Sequence, residues 1–260
     1  MTIGIIGAMP EEINALADNM VIKHSKIIAS RTFLQGKLYG VDVVLVLSRV
    51  GKVSAAITAC MLVAHFAVDK IIFIGVGGGA DPALNVGDVV IASGVMHHDL
   101  DASPLFPKYE VPLLGVSIFY PDPYLLDITT AAASRYLNER VESEIGTEVF
   151  RKFAIVKPKL ALGVIASGDQ FINHPDTLSG IKTAIEQVSP GALKCVEMEG
   201  AAVAQTCHEL GVAFVVIRTL SDKADHSAHL DFGQFITSIA SIYSNGIIRE
   251  LFTRYPEIAR

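Results

Sequence analysis

Short runs of consecutive apolar, mostly β-branched residues alternate along the chain with stretches in which apolar residues recur every three or four positions. The runs predict strands over Ile3–Ala8, Val41–Leu47, Lys70–Val76, Asp88–Ala92, Leu160–Ala166, Lys194–Glu197 and Ala213–Thr219. Several are apolar at successive positions, as strands covered on both faces are. Thr32–Tyr39 is strand-like as well, punctuated by Gly36 and Gly40 as an edge or hairpin piece. The longer period predicts helices over Glu11–Asn19, Val53–Ala67, Pro123–Leu137, Pro175–Gln187, Met198–Leu210 and Phe232–Phe252. Pro10 suits a first helical turn, where its missing N–H is harmless and the acidic Glu11 and Glu12 meet the positive end of the dipole. Gly211 is a natural stop after Leu210. Between Ser103 and Pro123, prolines at 104, 107, 112, 121 and 123 predict an irregular loop, long enough for a lid or an interface arm. No repeat or low-complexity linker divides the chain. Residues 1–260 therefore read as one α/β domain with three layers, helices on both sides of a sheet.

Composition narrows the classes. The formal charge is -6 and no basic run interrupts it, which argues against a nucleic-acid partner, since such partners need a stripe of phosphate-neutralising cations. The longest apolar segment, Val53–Val68, is broken by Ser54, Thr58 and His65. It is short of the roughly 20 residues that cross a bilayer and reads as a buried helix, so no membrane association is expected. The opening TIGIIGAM has neither a basic leader nor a cleavage signal, so no secretory signal is expected. Cys60, Cys195 and Cys207 are odd in number and lack a CxxC spacing, which points to a reducing cytoplasm.

The glycine run Gly75-Val-Gly-Gly-Gly-Ala80 superficially matches a dinucleotide fingerprint. That motif works only when a helix follows at once. Here Asp81-Pro82 follows and the next strand begins at Asp88, so the glycines read instead as a sharp turn, or as backbone passing close to something small such as a ribose. Acidic residues stand where open α/β sheets place chemistry, at strand ends. Glu11 and Glu12 follow the first strand, Glu197 and Glu199 the strand at Lys194, and Asp222 the strand at Ala213. Each has a bland alternative. Glu12 can serve the helix dipole, Asp222 an Asx turn, and only Glu199, set among small and apolar residues, is costly without a role. His97-His98-Asp99 lacks a third cluster at metal-ligand spacing, and Cys207-His208 point apart on a helix. No metal and no organic cofactor is expected.

Five separated segments carry a resemblance: IGIIGAMPEEI at the start, GKVSAA at 51–56, SGDQFI at 167–172, VEMEGAA at 196–202 and SDKAD at 221–225. In that order they resemble the bacterial 5'-methylthioadenosine/S-adenosylhomocysteine nucleosidases, of the purine nucleoside phosphorylase-like superfamily. The resemblance implies a twisted mixed central sheet, a homodimer and hydrolysis of the N-glycosidic bond with release of adenine. It makes Glu12 the base that activates water, puts Glu199 on the ribose hydroxyls beside Met198, and aims Asp222, supported by Ser221, at adenine N7. Phe171 would stack on adenine, the backbone of Ile172 would read its edge, and Arg218 would stand near the water and the ribose carboxylate. Met9, Val50, Val76, Gly77, Gly78, Glu197 and Phe232 would complete the nucleoside pocket.

Bond breaking leaves positive charge on the sugar and negative charge on the purine, so a carboxylate under the ribose, a proton donor at N7 and a base for water match the three acids. Asp222 carries a difficulty, because an ordinary Asp, with a pKa of about 3.9, costs roughly 4 kcal/mol to protonate at pH 7. Two departures from the family pattern stand out: Val76 replaces a common serine, and the loop 102–112 differs where the family closes the 5' pocket, partly across the dimer through a loop near Pro112. The preferred 5' group is therefore open. Competing readings are a phosphorylase, an aminodeoxyfutalosine nucleosidase of menaquinone synthesis, and a non-catalytic nucleoside-binding protein. Phe73 stands where bacterial phosphorylases of the superfamily place an arginine, which favours hydrolysis. The apolar Val53–Ala67 helix has more hydrophobic surface than one sheet face requires, consistent with subunit contact.

Overall fold

A computed structural model describes residues 2–189, 191–225 and 228–259, with the backbone alone for 229–231 and 259. Among the described residues nine strands make one mixed sheet: β1 (Ile3–Gly7), β2 (Met20–Ile28), β3 (Arg31–Leu38), β4 (Val41–Leu47), β5 (Lys70–Gly79), β6 (Val89–His97), β7 (Leu160–Ser167), β8 (Leu193–Glu197) and β9 (Ala213–Asp222). Their order is β2-β3-β4-β1-β5-β8-β7-β6-β9, and β5 also pairs with β9. The last five strands thus close on themselves, β5 to β9 in parallel, β9 to β6 antiparallel, β6 to β7 and β7 to β8 in parallel, and β8 back to β5 antiparallel. The sheet is open at β2 and curls into a small barrel at its other end.

Helices cover both faces. On one lie α1 (Pro10–Asp18), α3 (Pro123–Glu139) and α9 (Ser241–Arg254), on the other α2 (Lys52–Phe66) and α7 (Gly200–Leu210). Short α4 (Val141–Ile145) and α5 (Thr147–Lys152) follow α3; α6 (Pro175–Glu186) and α8 (Ala228–Phe235) complete the set. Two large apolar clusters result, one on each side of the sheet, and a third, smaller one lies where α6 meets β7 and β8. The α/β class, the mixed sheet and the layering agree with the expectation.

Several expectations are corrected. β5 does not end at Val76 but runs extended through the glycines to Gly79, hydrogen-bonded to both β8 and β9. The glycine run is strand, not a turn. Its lack of side chains serves close approach: a Cβ on Gly75 would sit 2.5 Å from Glu12 Oε1, and one on Gly77 2.5 Å from Cys195 Sγ. Thr32–Tyr39 is one arm of a hairpin, but the edge strand is β2, whose residues from Val21 to Ile27 are exposed on both faces. β6 runs on to His97, beyond Ala92. The helix expected over Phe232–Phe252 is broken by a π turn at Ile236–Ala240, which separates α8 from α9, an insertion often found beside functional sites.

Candidate active site

The ends of β1, β5, β8 and β9 meet at one pocket, and each delivers an acidic group or the backbone that holds one. Glu12 comes from the first turn of α1. Its Oε2 accepts the amides of Ala8 (2.6 Å) and Met9 (2.9 Å), and its Oε1 accepts the Val76 amide (3.0 Å). The bland reading and the functional one therefore coincide, since the carboxylate caps its own helix and is fixed in the pocket wall by the same bonds. The Val76 side chain faces the apolar cluster, and it is the amide of that residue that meets Glu12. Burial raises the Glu12 pKa, against the lowering effects of the Arg218 charge and the three amides.

Two acids sit at the β8–α7 junction with different environments. Glu197 is fully engaged. Its carboxylate receives Nε and Nη2 of Arg218 (3.2 and 2.5 Å), the amides of Glu199 and Gly200, and the Ser167 hydroxyl. Ser167 in turn accepts the Ala201 amide at the start of α7 (2.7 Å). Glu199 occupies the position just before α7, and its Oε1 accepts the Gly51 amide (2.8 Å). Burial, followed by the Glu197 charge, pushes the Glu199 carboxyl up to about 8, although Arg218 and the Gly51 amide pull the other way.

Arg218, predicted as a pocket residue, stands behind the wall. It is 1% exposed, and its guanidinium lies 4.0 Å over the Phe73 ring. Burial disfavours its charge, but Glu197, Glu12 and Glu199 more than compensate and raise its pKa. The cation is thus bonded to Glu197, while the charges of Glu12 and Glu199 act on it from further off.

Asp222 closes the far side. Its Oδ1 accepts the Ala224 amide (2.8 Å), the Asx turn foreseen as its bland role, and its Oδ2 accepts the Ser221 hydroxyl (2.8 Å). Phe171 and Phe232 meet edge to face at 5.6 Å over the pocket, and Ile172 is buried beneath them. Met9, Val50, Val76, Gly77, Gly78, Met198 and Ser221 also line it. Gln170, Ala8 and Val196 line it too. None of these three was predicted; for Gln170 the available signal was its place inside SGDQFI. Residues 102–112 do not line the pocket of the single chain.

The arrangement explains the SGD segment residue by residue. Ser167 holds Glu197. Gly168 leaves room for the His98 ring, which a Cβ would meet at 2.3 Å. Asp169 accepts the Lys52 amide at the start of α2 (2.8 Å).

Comparison with known proteins follows the same lines. The model of the Phosphorylase superfamily matches residues 2–252. A 5'-methylthioadenosine/S-adenosylhomocysteine nucleosidase from Anoxybacillus flavithermus is 36% identical over 250 residues, 96% of this chain and 97% of the relative. The solved structure of a nucleosidase of that name from Neisseria meningitidis, in complex with methylthio-immucillin-A, superposes with a TM-score of 0.83 at 32% identity, covering 97% of this chain and 99% of the other. The futalosine hydrolase of Helicobacter pylori superposes with a TM-score of 0.78 at 28% identity, covering 98% of each chain.

Proposed function

The chain belongs to the phosphorylase superfamily and, within it, to the 5'-methylthioadenosine/S-adenosylhomocysteine nucleosidase family, and from that premise we propose how it works. It hydrolyses the N-glycosidic bond of 5'-methylthioadenosine and S-adenosylhomocysteine and releases adenine. Glu12 takes a proton from the attacking water, whose oxygen bonds to C1' as the bond to the purine breaks. Glu199 lies against the ribose hydroxyls and stabilises the cationic sugar. Asp222, supported by Ser221, takes up a proton from solvent and passes it to N7 of the departing adenine, which balances the proton that Glu12 removes from water. Phe171 and Phe232 hold the purine. The observation that carries this reading is the gathering of Glu12, Glu199 and Asp222 around one pocket with an aromatic pair at its mouth.

Hydrolysis is favoured over phosphorolysis by charge. A phosphate would face Glu12, Glu197 and Glu199, while Arg218 is already bound to Glu197 and covered by Phe73. Incubation with methylthioadenosine, with and without phosphate, tests this. Free methylthioribose at an unchanged rate is expected; a sugar 1-phosphate formed only with phosphate overturns it. The likeness to a futalosine hydrolase makes aminodeoxyfutalosine the second substrate to assay.

The assembly belongs to the same reading. α2 buries Ala55, Thr58, Ala59 and Leu62 but leaves Val53 70% exposed, and Leu105 and Leu113 stand 84% and 93% exposed on the proline-rich loop. Such surfaces suit a homodimer in which the partner's loop near Pro112 closes the 5' end of the pocket. Sedimentation as a monomer at micromolar concentration would contradict it. A single continuous sheet from β2 to β9 supports one nucleosidase domain over 1–260. No helix among the described residues is long and apolar enough to cross a membrane, and the three free thiols suit the cytoplasm.

A further inference from the structure

The His97-His98-Asp99 segment takes no part in the chemistry above, yet Asp99 is tied to it. Past the end of β6, Asp99 accepts the Lys52 ammonium on Oδ1 (2.5 Å) and the backbone amide of Asp169 on Oδ2 (2.9 Å). Asp169 Oδ1 accepts the backbone amide of Lys52 (2.8 Å). Three residues from three parts of the chain therefore close a ring of charge-assisted hydrogen bonds.

Each side of this ring leads into the pocket. Gly51, immediately before Lys52, donates its amide to Glu199. Gly51 has a φ of +98°, and a Cβ there would sit 3.2 Å from Asp169 Oδ1, so its conformation is fitted to the ring. On the other side Gln170, Phe171 and Ile172 follow Asp169 directly and line the pocket. An exposed ion pair by itself contributes little. This one differs because both carboxylates grip backbone amides, which fixes where the two turns lie and not only where two side chains point. Burial would raise the Asp99 carboxyl, but the Lys52 and Asp169 hydrogen bonds and the Lys52 charge hold it below its usual range.

We propose that Asp99 is a positioning residue for the reaction: it locks the 51–52 turn to the 169–172 turn, and so aims the Gly51 amide at Glu199 and sets the adenine wall against the ribose wall. The inference rests on the reading of Glu199 as the ribose carboxylate. Charged groups facing Glu199 are Glu197, Arg218 and Glu12, none of them in the ring, so a change made at Asp99 reaches Glu199 through the Gly51 amide.

The test is adenine release from methylthioadenosine by Asp99→Ala and Asp99→Asn, each alone and combined with Glu199→Gln. For Asp99→Ala, kcat falls about 10- to 100-fold, as a small misplacement of a reacting group does, while KM changes by less than about threefold. Asp99→Asn keeps the volume and one acceptor and falls between. The limb on which kcat/KM rises with pH moves upward by about half to one pH unit, because the carboxylate of Glu199 has lost a donor. In the Glu199→Gln background Asp99→Ala adds less than about a further threefold loss, because the charge it helps to place is gone. A folded Asp99→Asn with the wild-type kcat and pH limb overturns the inference, as does a full multiplication of the two losses. Should Asp99→Ala fail to fold, Lys52→Met opens the ring from its other side and is held to the same outcomes. A slow Glu199→Gln beside a wild-type Asp99→Asn refutes the ring alone; a wild-type Glu199→Gln refutes the reading of the site and the ring with it.

Discussion

Replacing Glu199 with glutamine is expected to make the protein more stable in alkali while slowing its reaction. Glutamine keeps an oxygen for the Gly51 amide and removes the charge. In the folded chain the Glu199 carboxyl titrates at about 8, against 4.5 ordinarily. Below pH 4.5 both folded and unfolded chains hold the proton. Between the two values the unfolded chain releases it and the folded chain does not, so stability falls with rising pH and the loss is complete above pH 8. At about 1.4 kcal/mol for each pH unit between them, the loss is about 5 kcal/mol by pH 9. That figure is an upper bound, since a carboxylate in a pocket open to solvent draws water as it ionises. Urea unfolding at constant protein concentration measures it, followed by circular dichroism because the chain has no tryptophan. The expected result is a variant within about 1 kcal/mol of wild type at pH 4.5 and about 2–5 kcal/mol more stable at pH 9. An equal difference at both pH values, or a less stable variant at pH 9, refutes the account of Glu199 as a carboxylate held in an unfavourable place for its chemistry.

Three further changes probe neighbouring links. Glu12→Gln should slow adenine release by about 10²- to 10⁴-fold while calorimetry finds nucleoside affinity within a few-fold of wild type; unchanged turnover would remove Glu12 as the base. Ser167→Ala strips a donor from Glu197 and leaves the Ala201 amide without its acceptor, so denaturant unfolding should show a loss of about 1–3 kcal/mol, and an unaltered midpoint would contradict it. Gly75→Ala sets a methyl group 2.5 Å from Glu12 Oε1, which must displace the carboxylate; kcat should fall more than KM rises, and a normal kcat would show that Glu12 has slack.

What the sequence made legible was what leaves a periodic or positional trace. Continuous apolar runs marked the buried strands closely, Val41–Leu47 to the residue. Acidic residues at strand ends pointed to one place, and Glu12, Glu199 and Asp222 do line one pocket. β2 escaped because both its faces are wet, so Lys23, His24, Ser25 and Lys26 show neither alternation nor an apolar run. The glycines of β5 escaped because glycine is a poor strand former, and the approach of Glu12 and Cys195 that requires it comes from distant segments. The π turn at Ile236–Ala240 inserts into an unbroken apolar period and leaves little mark on it. Arg218 is expected in the pocket but stands behind its wall, bonded to Glu197, because depth below a pocket surface has no signature along a chain. The barrel closure from β5 to β9 depends on strand order, which residue patterns do not encode.

The cap on α2 bears on how the molecule assembles. Gly51 has no side chain to close that helix, and the carboxylate that closes it on the Lys52 amide belongs to Asp169, 117 residues beyond Lys52; the Gly51 amide itself waits for Glu199, 148 residues away. Contacts so distant in sequence become favourable only after large loops have closed. The first turn of α2 therefore cannot settle early as a local structure. It becomes native with the arrival of β7 and β8, in the same event that brings Glu199 into place. Amide exchange at Lys52 should consequently report global opening and not local fraying, and a chain that has not finished folding has no half-built active site to misuse.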